Sequence, residues 1–103
     1  MPEPGVRTFA VFLSPARAGM PDAPTPEEAE AVAAHFEYYR GLLRDGVLVL
    51  AGRTTEPPHA GVMVFEAAGD AEAERIARAD PGVAAGVFEI RVQGFRVALM
   101  RGA

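Results

Sequence analysis

The segment from Val6 to Leu13 constrains the fold more than any other stretch of the chain. Val6, Thr8, Ala10 and Phe12 alternate with Arg7, Phe9, Val11 and Leu13, and beyond Arg7 both sets are largely apolar. A period of two puts the sets on opposite faces of a strand. A strand apolar on both faces has no surface to give to water, so it belongs inside a sheet that is covered on both sides. The rest of the chain must supply flanking strands and covering layers.

After Leu13 comes Ser14 to Pro26, a loop rich in proline, glycine and alanine. Thr25-Pro26-Glu27-Glu28 then reads as a helix start: a capping threonine, a proline suited to the first helical position, and two acids at the positive end of the helix dipole. The helix should run to about Arg44 and stop at Asp45-Gly46, with Val32, Phe36, Tyr39 and Leu43 forming a core-facing stripe. Val47 to Ala51 and Gly61 to Glu66 read as two strands of an antiparallel hairpin, joined by a turn that carries Pro57-Pro58-His59. Asp70 is placed to cap a second helix, Ala71 to Ala79, whose apolar side holds Ala73, Ile76 and Ala77. Asp80-Pro81 interrupts that helix, because proline disfavours helical geometry in the residue before it. Pro81 to Gly86 reads as a further short helical turn, and Val87 to Val97 as a last strand, broken or bulged at Gly94.

The order is strand, helix, strand, strand, helix, strand. Right-handed crossovers of both helices onto one face give an α+β domain with an antiparallel sheet, the ferredoxin-like βαββαβ arrangement. At 103 residues the chain is sized for a single domain, with 1–5 and 100–103 expected as flexible termini. The helices cover one face of the sheet only. A second copy of the chain covers the other most economically, so a homodimer is expected.

Composition removes several function classes. With no cysteine there are no disulfides, thiolate nucleophiles or cysteine metal sites, and a reduced cytoplasmic setting fits. A net charge of -4, with ten scattered arginines and no basic cluster, argues against nucleic-acid binding. No apolar run approaches the length of a transmembrane helix, so no membrane association is expected. Two histidines lying 24 positions apart, at 35 and 59, form no metal-ligand motif, and the glycine patterns of dinucleotide and phosphate loops are missing. Neither a metal nor a cofactor is expected.

Few candidates for chemistry remain. His35, on the long helix, can serve as general acid or base if a carboxylate holds its tautomer; it can equally be a helix-edge histidine bonded to a carbonyl or water. Asp80 is fully accounted for as a cap for the turn beginning at Pro81. Arg53 and Thr54, at a strand end, are suited to holding an anionic group of a substrate, or are solvated turn residues. Tyr38 can offer a phenol to a pocket, Tyr39 fits the core stripe, and His59 in its proline-rich turn is expected to be exposed.

His35-Phe36-Glu37-Tyr38-Tyr39, the run Asp45-Gly46-Val47-Leu48-Val49-Leu50-Ala51-Gly52-Arg53-Thr54, and Ala79-Asp80-Pro81-Gly82-Val83-Ala84-Ala85-Gly86-Val87 together resemble the YCII-related family. The resemblance spans Phe9 to Leu99. It implies a dimeric α+β barrel in which His35 and Asp80 form an active-site dyad, and a small, aromatic or carbonyl-bearing substrate. It also leaves room for a regulatory partner. Two features depart from the family pattern: Tyr39 and Gly41 follow His35-Phe36-Glu37-Tyr38 where an aliphatic residue and a larger one are more usual, and the turn carries Pro57-Pro58-His59; the long loop from Ser14 to Pro26 is a further variable. The expectation is a cofactor-independent lyase, isomerase or hydrolase in which Asp80 orients His35 and Arg53, Thr54 and Tyr38 bind a small molecule. The alternative is a non-catalytic dimeric metabolite-binding or regulatory module.

Overall fold

The computed structural model describes residues 6–102. The elements in chain order are β1 (Arg7–Pro15), α1 (Pro26–Arg44), β2 (Leu48–Arg53), β3 (Gly61–Ala67), α2 (Asp70–Arg78), α3 (Pro81–Ala84) and β4 (Phe88–Gly94). The four strands form one antiparallel sheet in the order β2-β3-β1-β4, the ferredoxin-like arrangement. As its two apolar faces require, β1 lies inside the sheet, with Val11 opposite Met63 on β3 and Val92 on β4. The expected loose ends at 1–5 and at 103 lie outside the described residues. Among the described residues no helix is long and apolar enough to cross a membrane, and no group of three or more potential metal ligands comes together.

Phe9, Val11 and Leu13 of β1 and Met63 and Phe65 of β3 line the face that meets the helices, which contribute Tyr39, Ala73 and Ala77 to the same core. On the opposite face Ala10 and Val64 are buried between their neighbours, while Arg91 lies 4.7 Å from the ring centre of Phe12. α1 begins with a complete capping box: the Glu28 amide donates to the Thr25 hydroxyl at 3.1 Å and the Thr25 amide to Glu28 Oε1 at 2.9 Å.

Three local expectations need correction. The N-cap of α2 is Gly69, with no side-chain cap bond; Asp70 is the first helical residue and pairs with Arg7, while Glu72 reaches back to accept from the Ala68 amide at 3.0 Å. β4 ends at Gly94 rather than Val97: its register with β1 stops at Phe9 opposite Gly94, while β1 continues to Arg7 against β3 alone, and the last bond there is from the Phe95 amide to the Thr8 carbonyl, 2.9 Å. The strand thus breaks at Gly94, as expected, and a register shift also falls on β2, between Leu48 and Leu50.

The third correction matters for the site. Of the expected stripe on α1, Tyr39 is buried, but Phe36 and Leu43 are 60% and 57% exposed. The inward side carries Ala31, His35, Tyr39 and Leu42, with Val32 partly buried beside them, so the apolar stripe is displaced toward His35 by less than one residue. Asp80 accounts for the displacement. It is fully buried beneath α1, and a buried carboxylate must find polar partners. Rotating α1 presents His35 to it at the cost of leaving Phe36 in solvent.

Candidate functional site

Asp80 sits between α2 and α3, and its two carboxylate oxygens have different tasks. Oδ1 accepts from the Gly82 amide at 2.8 Å, which caps α3, and Oδ2 lies 2.5 Å from His35 Nδ1. An ionised carboxylate only accepts, so Nδ1 carries the proton and donates it. The capping role and the contact with histidine therefore hold together. Nε2 of His35 has no protein partner among the described residues and is not sealed from solvent, in contrast to the ring nitrogens of His59.

Packing holds the imidazole in place. The Tyr39 ring meets it edge-on, with 5.3 Å between ring centres, and the Phe88 ring lies at 4.9 Å. Gly82 makes this possible: a β-carbon there would come within 2.6 Å of the Phe88 ring and 3.3 Å of the His35 β-carbon. Burial, reinforced by the Asp80 charge, raises the phenol pKa of both Tyr38 and Tyr39, keeping them neutral. The Tyr39 hydroxyl is buried with no partner, in keeping with its core position.

His35 lines a cavity of about 620 Å³ between the first half of α1 and the end of the sheet where β1 and β2 finish. Leu13, Met20, Val32, Met63 and Phe88 give it apolar walls, and its polar edge holds His35, Arg53, Thr54 and His59. Arg53 makes no ion pair among the described residues. The Thr54 hydroxyl is already engaged, donating to the Pro58 carbonyl at 3.1 Å and accepting from the Ala60 amide at 3.0 Å. Tyr38 is not among the cavity-lining residues; its hydroxyl donates to the Ile76 carbonyl at 2.6 Å and ties α1 to α2.

His59 departs from expectation. Instead of standing in solvent it is half-buried at the cavity, with both ring nitrogens sealed and unpartnered and Asp22 Oδ1 3.9 Å from Nε2. Nothing periodic marks its turn or the loop bearing Asp22, so their meeting left no signal in the sequence.

The family model of the YCII-related domain matches residues 9–93. The chain belongs to the YCII-related family. Among solved structures, this YCII-related domain is similar to a mutant of SnoaB, described as a cofactor-independent oxygenase from Streptomyces nogalater, with a TM-score of 0.50. The match covers 96% of this chain and 99% of that one at 12% identity, a likeness of fold. No curated protein matches the chain.

Proposed function

We propose that this YCII-related domain is a cofactor-independent acid–base enzyme, in which Nε2 of His35 moves a proton on a small ring-bearing carbonyl or phenolic molecule. The observation that carries the reading is the 2.5 Å contact between His35 Nδ1 and the fully buried Asp80. With Nδ1–H committed to a carboxylate, the lone pair is on Nε2, and the carboxylate stabilises the imidazolium formed when Nε2 takes a proton. On a ketone, the C–H electron pair moves to the carbonyl oxygen, leaving an enolate. Return of the proton at another atom completes an isomerisation, and loss of a leaving group an elimination. Arg53 is the residue available to hold the substrate, while Thr54 serves by bracing the turn. SnoaB, described as an oxygenase that needs no cofactor, has the same fold, which is compatible with side chains alone carrying chemistry here.

The working unit of this reading is a homodimer. Val49 and Leu50 on β2, and Phe95, Val97, Leu99 and Met100 beyond β4, are exposed apolar residues that a second copy would cover. Sedimentation equilibrium should give twice the chain mass of 10.9 kDa; a monomer at micromolar concentration counts against the dimer.

The chemistry is tested by solvent deuterium uptake into a panel of aryl ketones and phenolic ketones, followed by NMR. Wild-type protein should catalyse uptake into at least one compound, and His35→Gln and Asp80→Asn, checked for folding by circular dichroism, should lose it by about 100-fold or more. Equal rates in wild type and variants, or no uptake with any compound, overturns the reading and leaves a binding module.

A further inference from the structure

We infer that Phe36 is the specificity residue of this site: its ring is a restrained face at the mouth of the His35 cavity, against which a flat ring of the ligand stacks. The inference rests on the acid–base reading for the location of the site and adds the residue that tells an aromatic ring from a saturated one.

The position of Phe36 is the first support. It follows His35 on α1, and both side chains line the same cavity. Of the large apolar side chains left exposed among the described residues, Phe36 is the one that lines the cavity. Leu43 stands two turns further along α1, and the rest lie on β2 or beyond β4. Adjacent helix positions differ in direction by about 100°, so Phe36 flanks the imidazole rather than facing it. A ring stacked on Phe36 can therefore carry a carbonyl substituent to Nε2 of His35.

The second support is the way the ring is held. The Arg40 guanidinium, on the next turn of α1, lies over one face of Phe36 at 4.9 Å from the ring centre. Arg40 Nε is in turn 3.3 Å from Glu37 Oε1, which ties the cation to the helix. Attraction between the guanidinium and the π face restrains a side chain that would otherwise turn freely in solvent. A restrained ring loses less conformational freedom when a ligand packs on it, so more of the contact appears as affinity.

The third support is the division of labour between the two phenyl rings that line the cavity. Phe88 packs against the His35 imidazole at 4.9 Å, and Gly82 leaves the room it needs. Phe36 stacks on no protein ring among the described residues. Leu13, Met20, Val32 and Met63 are aliphatic or thioether walls that accept flat and saturated rings alike. An aromatic face distinguishes them, because stacking needs a π system on both partners.

Acetophenone and cyclohexyl methyl ketone are matched probes, the same ketone on a flat and on a saturated six-membered ring, with binding followed by NMR. Wild-type protein should bind acetophenone about fivefold or more tightly than the cyclohexyl ketone, with the acetophenone ring signals displaced by the phenyl they stack on. Phe36→Leu, checked for folding by circular dichroism, keeps an apolar side chain and should bring the two affinities within about twofold. Phe36→Tyr keeps the flat ring and should keep the preference. No binding of either ketone, equal affinities in wild type, or an unaltered preference in Phe36→Leu overturns the inference. Loss of dimer mass in Phe36→Leu with the preference intact also overturns it and assigns the ring to the contact between copies. Deuterium uptake that persists without a ring preference leaves the acid–base reading standing; a ring preference in a protein without uptake leaves the role of Phe36 standing and removes the chemistry.

Discussion

Where α1 packs on α3, His35 meets Asp80 at 2.5 Å, on a carboxylate whose other oxygen caps a helix. On the cavity rim, where the 54–60 turn faces the loop after β1, His59 stops 3.9 Å short of Asp22 and its ring nitrogens go unsatisfied. The same two residue types pair twice beside one cavity, which the histidines alone line, one pair closed and one open. The closed pair hangs on a helix and a helix cap that core packing holds in register. The open pair hangs on two connecting segments, and hydrogen bonds within each segment decide where it sits. The contact between regular elements thus closes to a hydrogen bond, while the one between connecting segments stops beyond that distance.

The sharpest way to break this comparison is to remove each imidazole. His35→Leu leaves the Asp80 carboxylate buried with only the Gly82 amide, and should cost about 3 kcal/mol or more in urea unfolding. His59→Leu removes nitrogens that have no partner and should change stability by less than about 1 kcal/mol. Similar losses at the two positions would mean that the rim is as firmly built as the helical junction.

A smaller effect is expected at Gly82, where a β-carbon would lie 2.6 Å from the Phe88 ring. Gly82→Ala should cost about 2 kcal/mol and shift the ring signals of Phe88 and His35 together, whereas the signal of His59 stays in place. The two tyrosines offer a finer test. Tyr38→Phe breaks a bond to the Ile76 carbonyl and should cost about 1 kcal/mol. Tyr39→Phe removes a hydroxyl that has no partner and should be neutral or slightly stabilising.

The smallest effect concerns the rim loop, which Arg17 anchors. Its guanidinium donates to Glu28 Oε1 at 2.5 Å and to the Ala23 carbonyl at 2.9 Å. The Arg17 hydrogen bond, helped by that from the Thr25 amide, lowers the Glu28 carboxyl from an ordinary 4.5 to about 2. A carboxyl with a depressed folded-state pKa adds stability above its unfolded value and loses it as pH falls. This support should fade between about pH 4.5 and 2, and Glu28→Gln should flatten that part of the stability–pH curve. An unchanged curve would show that the anchor is dispensable.

The element order was legible because its signals are local. Alternation in Val6 to Leu13 marks a strand, Thr25 to Glu28 is a complete helix start, and Pro81 limits what Asp80 can adopt. Periodicity gave the direction of α1 and placed Val32 and Tyr39 on the core, but it put Phe36 and Leu43 there as well, and both are exposed. Counting apolar positions favours Phe36 and Leu43, and it takes no account of a buried acid 45 positions from His35 that has to be paired.

The sequence by itself therefore determined the succession of strands and helices, the caps, and the burial of β1 on both sides. Each depends on the nearest few residues, through steric restriction, hydrogen bonding and apolar spacing. Only the tertiary structure decided which way α1 faces, that Asp80 both caps α3 and holds His35, and that His59 is drawn in to line the same cavity as His35. These follow from bringing distant segments together, where the cost of burying charge outweighs the gain from one more apolar side chain.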